Sequence, residues 1–253
     1  MLDFTNKTVL ITGGSRGIGR ACAILFSQLN AHVIITYKSN EAEAKKTIGL
    51  LHQHGTHSMF QMDISNPTSV EAVFSAITKG HKVDVLVNNA GVFLEHKIDS
   101  VSYDEWQQAW NETISTNLIG VGNLCFFAAR HMKEHGGGKI VNISSRGAFR
   151  GEPDHPAYGA SKAGLNSLSQ SMAIALAPYN ITVGAVAPGF VETDMAAEYL
   201  NSEAGEAVRK QSPLNRVATA EEVARVVAVF ADTGFEFMTG GIIDINGASY
   251  LRS

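Results

Sequence analysis

The sequence predicts an α/β fold: a doubly wound parallel sheet with helices on both faces, in one domain spanning residues 1–253. Three observations carry this. Short β-branched runs alternate with longer helical patterns along the chain, which implies parallel strands joined by right-handed crossovers. A glycine-rich turn, Thr12–Gly19, separates the first strand from the first helix. Hydrophobic residues make up 45% and charged residues 17%, which suits a sizeable core rather than a disordered chain.

The elements follow in order. Thr8–Ile11 is an apolar, β-branched strand, and Ile18–Leu29 an apolar helix. Val33–Thr36 is the second strand, followed by an Ala/Glu/Lys-rich helix from Glu41 to about His54. Ser58–Met62 is the third strand, and the next helix starts near Asn66 with Pro67 at an early position, where a missing N–H costs nothing. Val83–Val87 is the fourth strand, closed by Asn88–Gly91. One long helix is expected from about Tyr103 to Glu134, stopped by Gly136–Gly138. Lys139–Ile143 is the fifth strand, Pro156 to about Ala177 a helix, Ile181–Val186 the sixth strand and Ile242–Ile245 the seventh. No internal repeat, low-complexity tract or long linker interrupts the pattern.

Charge and composition exclude several classes. Twenty basic against 24 acidic side chains leave a net charge of −4, with no cationic excess to bind a phosphate backbone, so no nucleic-acid partner is expected. Only Cys22 and Cys125 occur, both in apolar helical stretches, which reads as buried thiols in a reducing compartment. The start, MLDFTNKTVL, has no basic region followed by an apolar one, and no apolar run reaches the ~18 residues of a membrane span. A soluble cytoplasmic protein is the expectation. His131 and His135 lie four apart at a helix end; without a third ligand in the sequence they read as cations near a helix C-terminus rather than a metal site.

The turn Thr12–Gly19 has the spacing GxxxGxG. Between a strand and a helix, glycines let the backbone approach a pyrophosphate, and the helix start offers free N–H groups. The same residues fit GxSxG, the nucleophile elbow of α/β-hydrolases. That reading needs an acid and then a histidine downstream, but no histidine follows His155, and an elbow after the first strand leaves no room for the strands that precede it in the hydrolase fold.

Tyr158–Lys162 reads YxxxK, and it follows the TGxxxGxG turn with Asn88–Gly91 between them. This ordered set resembles the short-chain dehydrogenase/reductase family over nearly the whole chain, continuing through Asp63–Ile64, Asn117, Ser144–Ser145, Pro188–Gly189 and Thr239–Gly240. The resemblance implies a Rossmann fold with strand order 3-2-1-4-5-6-7 and hydride transfer between a nicotinamide cofactor and a carbonyl or alcohol. Reduction of a carbonyl leaves a developing alkoxide that needs a proton and a hydrogen bond, and Tyr158 can supply both. Its free pKa of ~10 is high for exchange near neutrality. Lys162, one helical turn on, lies on the same face, and its ammonium, together with the positive nicotinamide of the oxidised cofactor, is expected to favour the phenolate. The resemblance also gives Lys162 the nicotinamide ribose hydroxyls, Ser145 the substrate carbonyl, and Asn117 a proton-relay water. Ser144 neighbours Ser145 in an extended segment, so its side chain is expected on the opposite side.

Cofactor contacts follow from the resemblance. Gly13, Ser15, Gly17, Ile18 and Gly19 cradle the pyrophosphate; Asp63 and Ile64 meet the adenine; Asn89, Ala90 and Gly91 pass its ribose. Pro188, Gly189 and Thr193 meet the nicotinamide end, with Val191 backbone pairing its amide. Taken alone, Asp63 also reads as a strand-end cap. An acidic residue at the end of the second strand usually selects NAD. Here that strand ends Tyr37–Lys38–Ser39, and Arg16 sits in the glycine turn. Two cations and no carboxylate point to NADP(H) over NAD(H).

Within the family, Ala187–Met195 and Met238–Gly247 resemble the 3-oxoacyl-(acyl-carrier-protein) reductase group. Carrier-protein reductases carry basic residues just before the fifth and sixth strands; here those stretches read His135–Gly138 and Ala177–Asn180, with Lys133 and Lys139 near but shifted. Gly184 replaces the group's usual Asn. Arg146, Arg150, Glu152 and Asp154 border the substrate side between the Ser and the Tyr, and Met195 to about Gln211 is expected to form a mobile lid with Phe190 at its base. The leading reading is an NADPH-dependent carbonyl reductase, with a carrier-protein reductase second and a catalytically idle NADP(H)-binding regulator as the reading from another class. The resemblance also implies a homotetramer or dimer.

Overall fold

The computed structural model describes residues 2–52, 56–193, 200 and 202–252. The N-terminal half is built from β1 (Thr8–Ile11), α1 (Gly17–Gln28), β2 (His32–Tyr37), α2 (Glu41–Leu50), β3 (Ser58–Gln61), α3 (Pro67–Thr78) and β4 (Val85–Asn88). It continues through α4 (Tyr103–Ile114), α5 (Gly120–Glu134), β5 (Gly138–Ile143), the single turn α6 (Gly147–Arg150), α7 (Pro156–Leu176) and β6 (Ile181–Pro188). Two short strands, β7 (Val191–Glu192) and β8 (Ala218–Thr219), flank α8 (Glu203–Arg209); α9 (Ala220–Ala231) and β9 (Ile242–Ile245) complete the chain.

Seven strands form one parallel sheet in the order β3-β2-β1-β4-β5-β6-β9. This is the expected order; its last strand is the ninth in sequence because β7 and β8 pair apart from the main sheet. Both faces of the sheet are covered, so its strands are apolar on both sides. Val9, Ile11, Val33, Ile35, Val85 and Val87 pack on one face with Phe26 of α1 and Val223, Val227 and Phe230 of α9. Leu10, Ile34 and Leu86 point the other way, onto Phe74 of α3, Leu124 and Met132 of α5 and Leu165 of α7. Strand order reverses between β1 and β4, which opens a crevice at their carboxyl ends.

One expected helix is broken, and one helix is new. The helix expected from Tyr103 to Glu134 is interrupted by a π-helical turn, Ser115–Ile119, which carries Asn117. Within that break the carbonyl of Ile64 lies 2.2 Å from where a Cβ on Gly120 would stand, so only glycine fits there. Helix α9 was not anticipated, although its start carries a capping box in which Thr219 and Glu222 bond reciprocally. Its Phe230 explains Gly184: a Cβ at 184 would lie 1.8 Å from the Phe230 ring, so the ring takes the space the usual Asn would occupy.

His131 is also corrected. Its Nε2 accepts the backbone N–H of Val83 at 3.1 Å, and burial lowers its pKa, so it is a neutral acceptor rather than a cation at a helix end. Cys22 and Cys125 are buried, and burial pushes both thiols up to about 12, as expected for inert core groups. No helix among the described residues is long and apolar enough to cross a membrane. Residues 53–55, at the expected end of α2, residue 194, and residues 195–199 and 201 of the expected lid lie outside the described residues.

Candidate active site

The glycine turn leaves β1 at Ile11 and enters α1 at Gly17. Thr12 anchors it: its hydroxyl accepts from the N–H groups of Asn89 and Ala90, both at 3.0 Å. The Asn89 amide donates to the carbonyls of Thr12 (3.0 Å) and Gly13 (3.1 Å). The Asn89 side chain is therefore spent on holding the turn. A Cβ on Gly19 would lie 2.3 Å from the Gly13 carbonyl oxygen, and one on Gly17 would lie 3.2 Å from Thr193, which approaches from the far side of the crevice. The first turn of α1 has no side-chain cap and no acidic residue, so its N–H groups and positive dipole end face the crevice unopposed. This cradle, closed by any side chain at Gly19, fits a dinucleotide pyrophosphate.

Sequence reasoning missed the clamp behind this turn. Arg20 donates to the Ser15 carbonyl, to Glu43 and, at 2.9 Å, to the Thr47 hydroxyl, which itself bonds the Ser15 carbonyl at 3.2 Å. Arg20 falls one turn into α1 and Glu43 in α2, so only the tertiary fold brings them together.

At the outer end of the crevice, Arg16, Lys38 and Ser39 are exposed, whereas Tyr37 is 9% exposed and packs in the core. The Lys38 ammonium lies 3.0 Å from Asp63. Asp63 also accepts from the Ser65 N–H (3.0 Å) and hydroxyl (2.7 Å). Partial burial opposes ionisation, but the Ser65 bonds and Lys38 outweigh it and hold the carboxyl below its usual value. Asp63 is thus both the strand-end cap and the partner of Lys38; Ile64 beside it is buried.

The inner end is tightly bonded, with Asn117 and Lys162 buried and Ser145 and Tyr158 half-buried. Ser145 follows β5, and its hydroxyl accepts the Gly147 N–H at 3.0 Å and bonds the Tyr158 phenol. Ser144 points away as expected, into Asn166 Oδ1 at 2.6 Å. Lys162, 4% exposed, donates from Nζ to the Ile143 carbonyl at 2.7 Å and sits 5.6 Å from the centre of the Tyr158 ring. Asn117 is fully buried in the π-helical turn. It pins the loop after β4 by accepting the Val92 N–H (2.8 Å) and donating to the Val92 carbonyl (2.9 Å), with Ser161 as a further acceptor at 3.3 Å. A Cβ on Gly91 would stand 3.2 Å from Asn117 Oδ1 and 3.7 Å from Lys162 Nζ, so these three predicted residues meet at one point.

In the cofactor-free protein, burial governs the ionisation states of this pair. Burial pushes the Tyr158 phenol up to about 12; the Ser145 bond pulls it down and the Glu152 charge adds to the rise. Burial alone pushes Lys162 down to about 8. Lysine therefore does not draw the phenol toward neutrality by itself, because its ammonium is turned onto the Ile143 carbonyl and both groups are desolvated. Aromatic walls complete the inner end. The Phe93 ring stacks on His155 at 3.6 Å and meets Tyr158 edge-on at 4.7 Å. Neither was expected, although His155 lies one helical turn before Tyr158.

Pro188 and Gly189 close the crevice opposite: the Pro188 carbonyl accepts the Arg146 N–H (2.8 Å), and the Gly189 N–H donates to Ile245 (3.1 Å). Val191 sits in the short ladder with Ala218.

A family model described as enoyl-(acyl carrier protein) reductase matches residues 13–248. Among curated relatives, the 3-oxoacyl-[acyl-carrier-protein] reductase FabG of Vibrio cholerae serotype O1 is 35% identical over 251 residues, covering 99% of this chain and all of that one. The chain belongs to the short-chain dehydrogenase/reductase family. The FabG of Rickettsia felis is 37% identical over the same span, with 99% of this chain and all of that one covered. The crystal structure of gox2181 superposes with a TM-score of 0.90 at 30% identity, covering 98% of this chain and 96% of that one. As a member of the family, the protein is an oxidoreductase acting between a CH–OH group and a carbonyl.

Proposed function

We propose that the protein is an NADP(H)-dependent oxidoreductase that interconverts a ketone and a secondary alcohol, with Tyr158 exchanging the proton. The observation that carries this is the convergence of Ser145, Tyr158 and Lys162 with Asn117 and Gly91 at the inner end of the crevice. When bound, the cofactor supplies the hydride and, once oxidised, a positive charge beside the phenol. Ser145 holds the substrate oxygen next to the phenol that it already bonds. Tyr158, kept protonated by its surroundings, gives its proton to the oxygen as that oxygen becomes an alkoxide. Lys162 holds the nicotinamide ribose hydroxyls; with its pKa near 8 it is largely an ammonium at neutral pH. Asn117 keeps Val92 and the loop after β4 in place around the relay water.

The adenosine end takes the 2′-phosphate between Arg16 and Lys38, with Ser39 beside them and the Tyr37 ring as a buried floor. Asp63 holds Lys38 toward that position and meets the adenine with Ile64. Gly13, Ser15, Gly17, Ile18 and Gly19 receive the pyrophosphate, Asn89, Ala90 and Gly91 flank the adenine ribose, and Pro188, Gly189, Val191 and Thr193 border the nicotinamide. The protein works as a soluble cytoplasmic homotetramer or dimer of one-domain subunits, which sedimentation checks against a 27 kDa species.

A 3-oxoacyl group on acyl carrier protein is the second substrate reading, favoured by what the relatives are called. Against it, Lys139 is paired with Glu236 at 2.8 Å and Lys133 lies over the Tyr179 ring at 4.1 Å, so both candidate docking cations are engaged. The test follows NADPH oxidation with a small 3-oxoacyl thioester and with simple ketones, in wild type and Tyr158→Phe. Wild-type turnover that falls ~10²–10⁴-fold in the variant, with NADPH still bound, supports the reading. Tight NADPH binding without turnover on any carbonyl returns the regulator reading, and no preference for NADPH over NADH overturns the cofactor assignment.

A further inference from the structure

A cavity of about 320 Å³ lies beyond Phe190, between the end of α8, the start of α9 and the turn after β9. It adjoins the crevice described above through Arg146 and Phe190, but neither Tyr158 nor Ser145 lines it. Its wall includes Arg146, which is 3% exposed. A buried guanidinium demands a partner charge, because the cost of stripping its water is otherwise unpaid. Among the described residues Arg146 has no carboxylate within ion-pair distance; the Glu152 charge acts on it only from further away, where Arg150 both pairs with Glu152 and opposes Arg146. Its partners are neutral: Ser249 Oγ at 2.5 Å, Gln211 Oε1 at 2.7 Å and the Phe190 ring at 5.2 Å. These two acceptors take two of its five N–H groups, so it retains donors.

The other charges on the wall do not supply the missing anion. Arg216 and Glu222 cancel each other through two bonds, of 2.7 and 2.6 Å. Arg225 also lines the wall, is exposed, and makes no ion pair among the described residues. The cavity is therefore net positive, with one buried cation and one at the rim. Hydroxyl and amide groups of Ser212, Asn246 and Ser249 complete its polar lining. Its volume is at the lower end of the ~300–1,000 Å³ range of small-molecule sites, too large for a lone ion and suited to a compact organic acid.

We propose that this cavity is a second binding site, for a small anionic metabolite carrying carboxylate or phosphate groups, with Arg146 as the buried anchor and Arg225 as the outer contact. The site is wired to the active site. Arg146 follows Ser145 directly, and its N–H bonds the Pro188 carbonyl at 2.8 Å, so an anion on its side chain bears on both walls of the crevice.

Calorimetry on the NADP⁺-saturated protein tests this, because the cofactor's own phosphate positions are then filled. Citrate, inorganic phosphate and glucose 6-phosphate are titrated separately into wild type, Arg146→Gln, Arg225→Gln and, as a control on α5, Arg130→Gln. The expected result is saturable binding of at least one of these anions, weakened at least tenfold by Arg146→Gln and several-fold by Arg225→Gln, and unchanged in the control. Tighter citrate binding assigns a polycarboxylate; tighter glucose 6-phosphate assigns a phosphate ester. No saturable binding of any of the three, or equal binding by Arg146→Gln and wild type, overturns the proposal. If Arg146→Gln fails to fold, the surface variant Arg225→Gln decides: unchanged affinity there overturns it.

Discussion

The two ends of the crevice are built on opposite principles. At the inner end, Asn117, Tyr158 and Lys162 are hydrogen-bonded and set in protein, and burial moves the Tyr158 phenol to about 12 and Lys162 to about 8. At the outer end, Arg16 and Lys38 stand in solvent, and the Lys38 ammonium is paired with Asp63. Burial at the inner end holds the phenol protonated until a further positive charge is bound. Phosphate discrimination needs only a countercharge within reach, and exposed cations supply that at low cost to folding.

Substitutions that cross this divide have effects in a definite order. Lys162→Met is the largest: turnover is expected to fall ~10²–10⁴-fold. Its stability also loses a pH dependence. Wild-type Lys162 has a folded pKa of about 8 against 10.5 when free, so between those values the unfolded chain binds the extra proton and stability rises with pH; in Lys162→Met that rise is absent, as urea unfolding at pH 8 and pH 10 would read. Lys38→Asp comes next. It removes a cation and sets a carboxylate beside Asp63, so NADPH affinity is expected to fall ~10–100-fold with little change for NADH, measured by fluorescence titration; equal losses would dissolve the contrast between the two ends. The smallest effect on catalysis belongs to Gly184→Ala, remote from both ends. The new Cβ collides with Phe230, and a loss of ~1–3 kcal/mol in stability with unchanged turnover is expected.

The same divide governs what was legible in the sequence. The parallel sheet could be read because its central strands are apolar on both faces and alternate with helices, while its strand order came with the family resemblance. The motif residues were found where a local pattern marks them: the glycine turn, the YxxxK helix, and Ser145 against Ser144. What escaped depends on contacts between distant segments. The π-helical turn at Ser115–Ile119 has no composition of its own and follows from the close approach of Ile64 to Gly120. The Arg20–Glu43–Thr47 clamp joins two helices that the sequence gives no reason to pair. The stacked Phe93 and His155 come from different loops. The partner of Lys162 escaped for a related reason: helical spacing placed Lys162 on the correct face, but the Ile143 carbonyl that captures its ammonium is reached only through the fold.

The central claim is that the protein alone keeps Tyr158 protonated and that the oxidised cofactor brings it within range of neutral pH. Ultraviolet titration of phenolate formation, taken as the difference between wild type and Tyr158→Phe, measures this directly with and without NADP⁺. The account predicts no Tyr158 ionisation up to pH 10 in the cofactor-free protein, since its pKa there is about 12, and ionisation well below pH 10 once NADP⁺ is bound. A phenolate already present near neutral pH without NADP⁺, or a titration that NADP⁺ leaves unmoved, would contradict it.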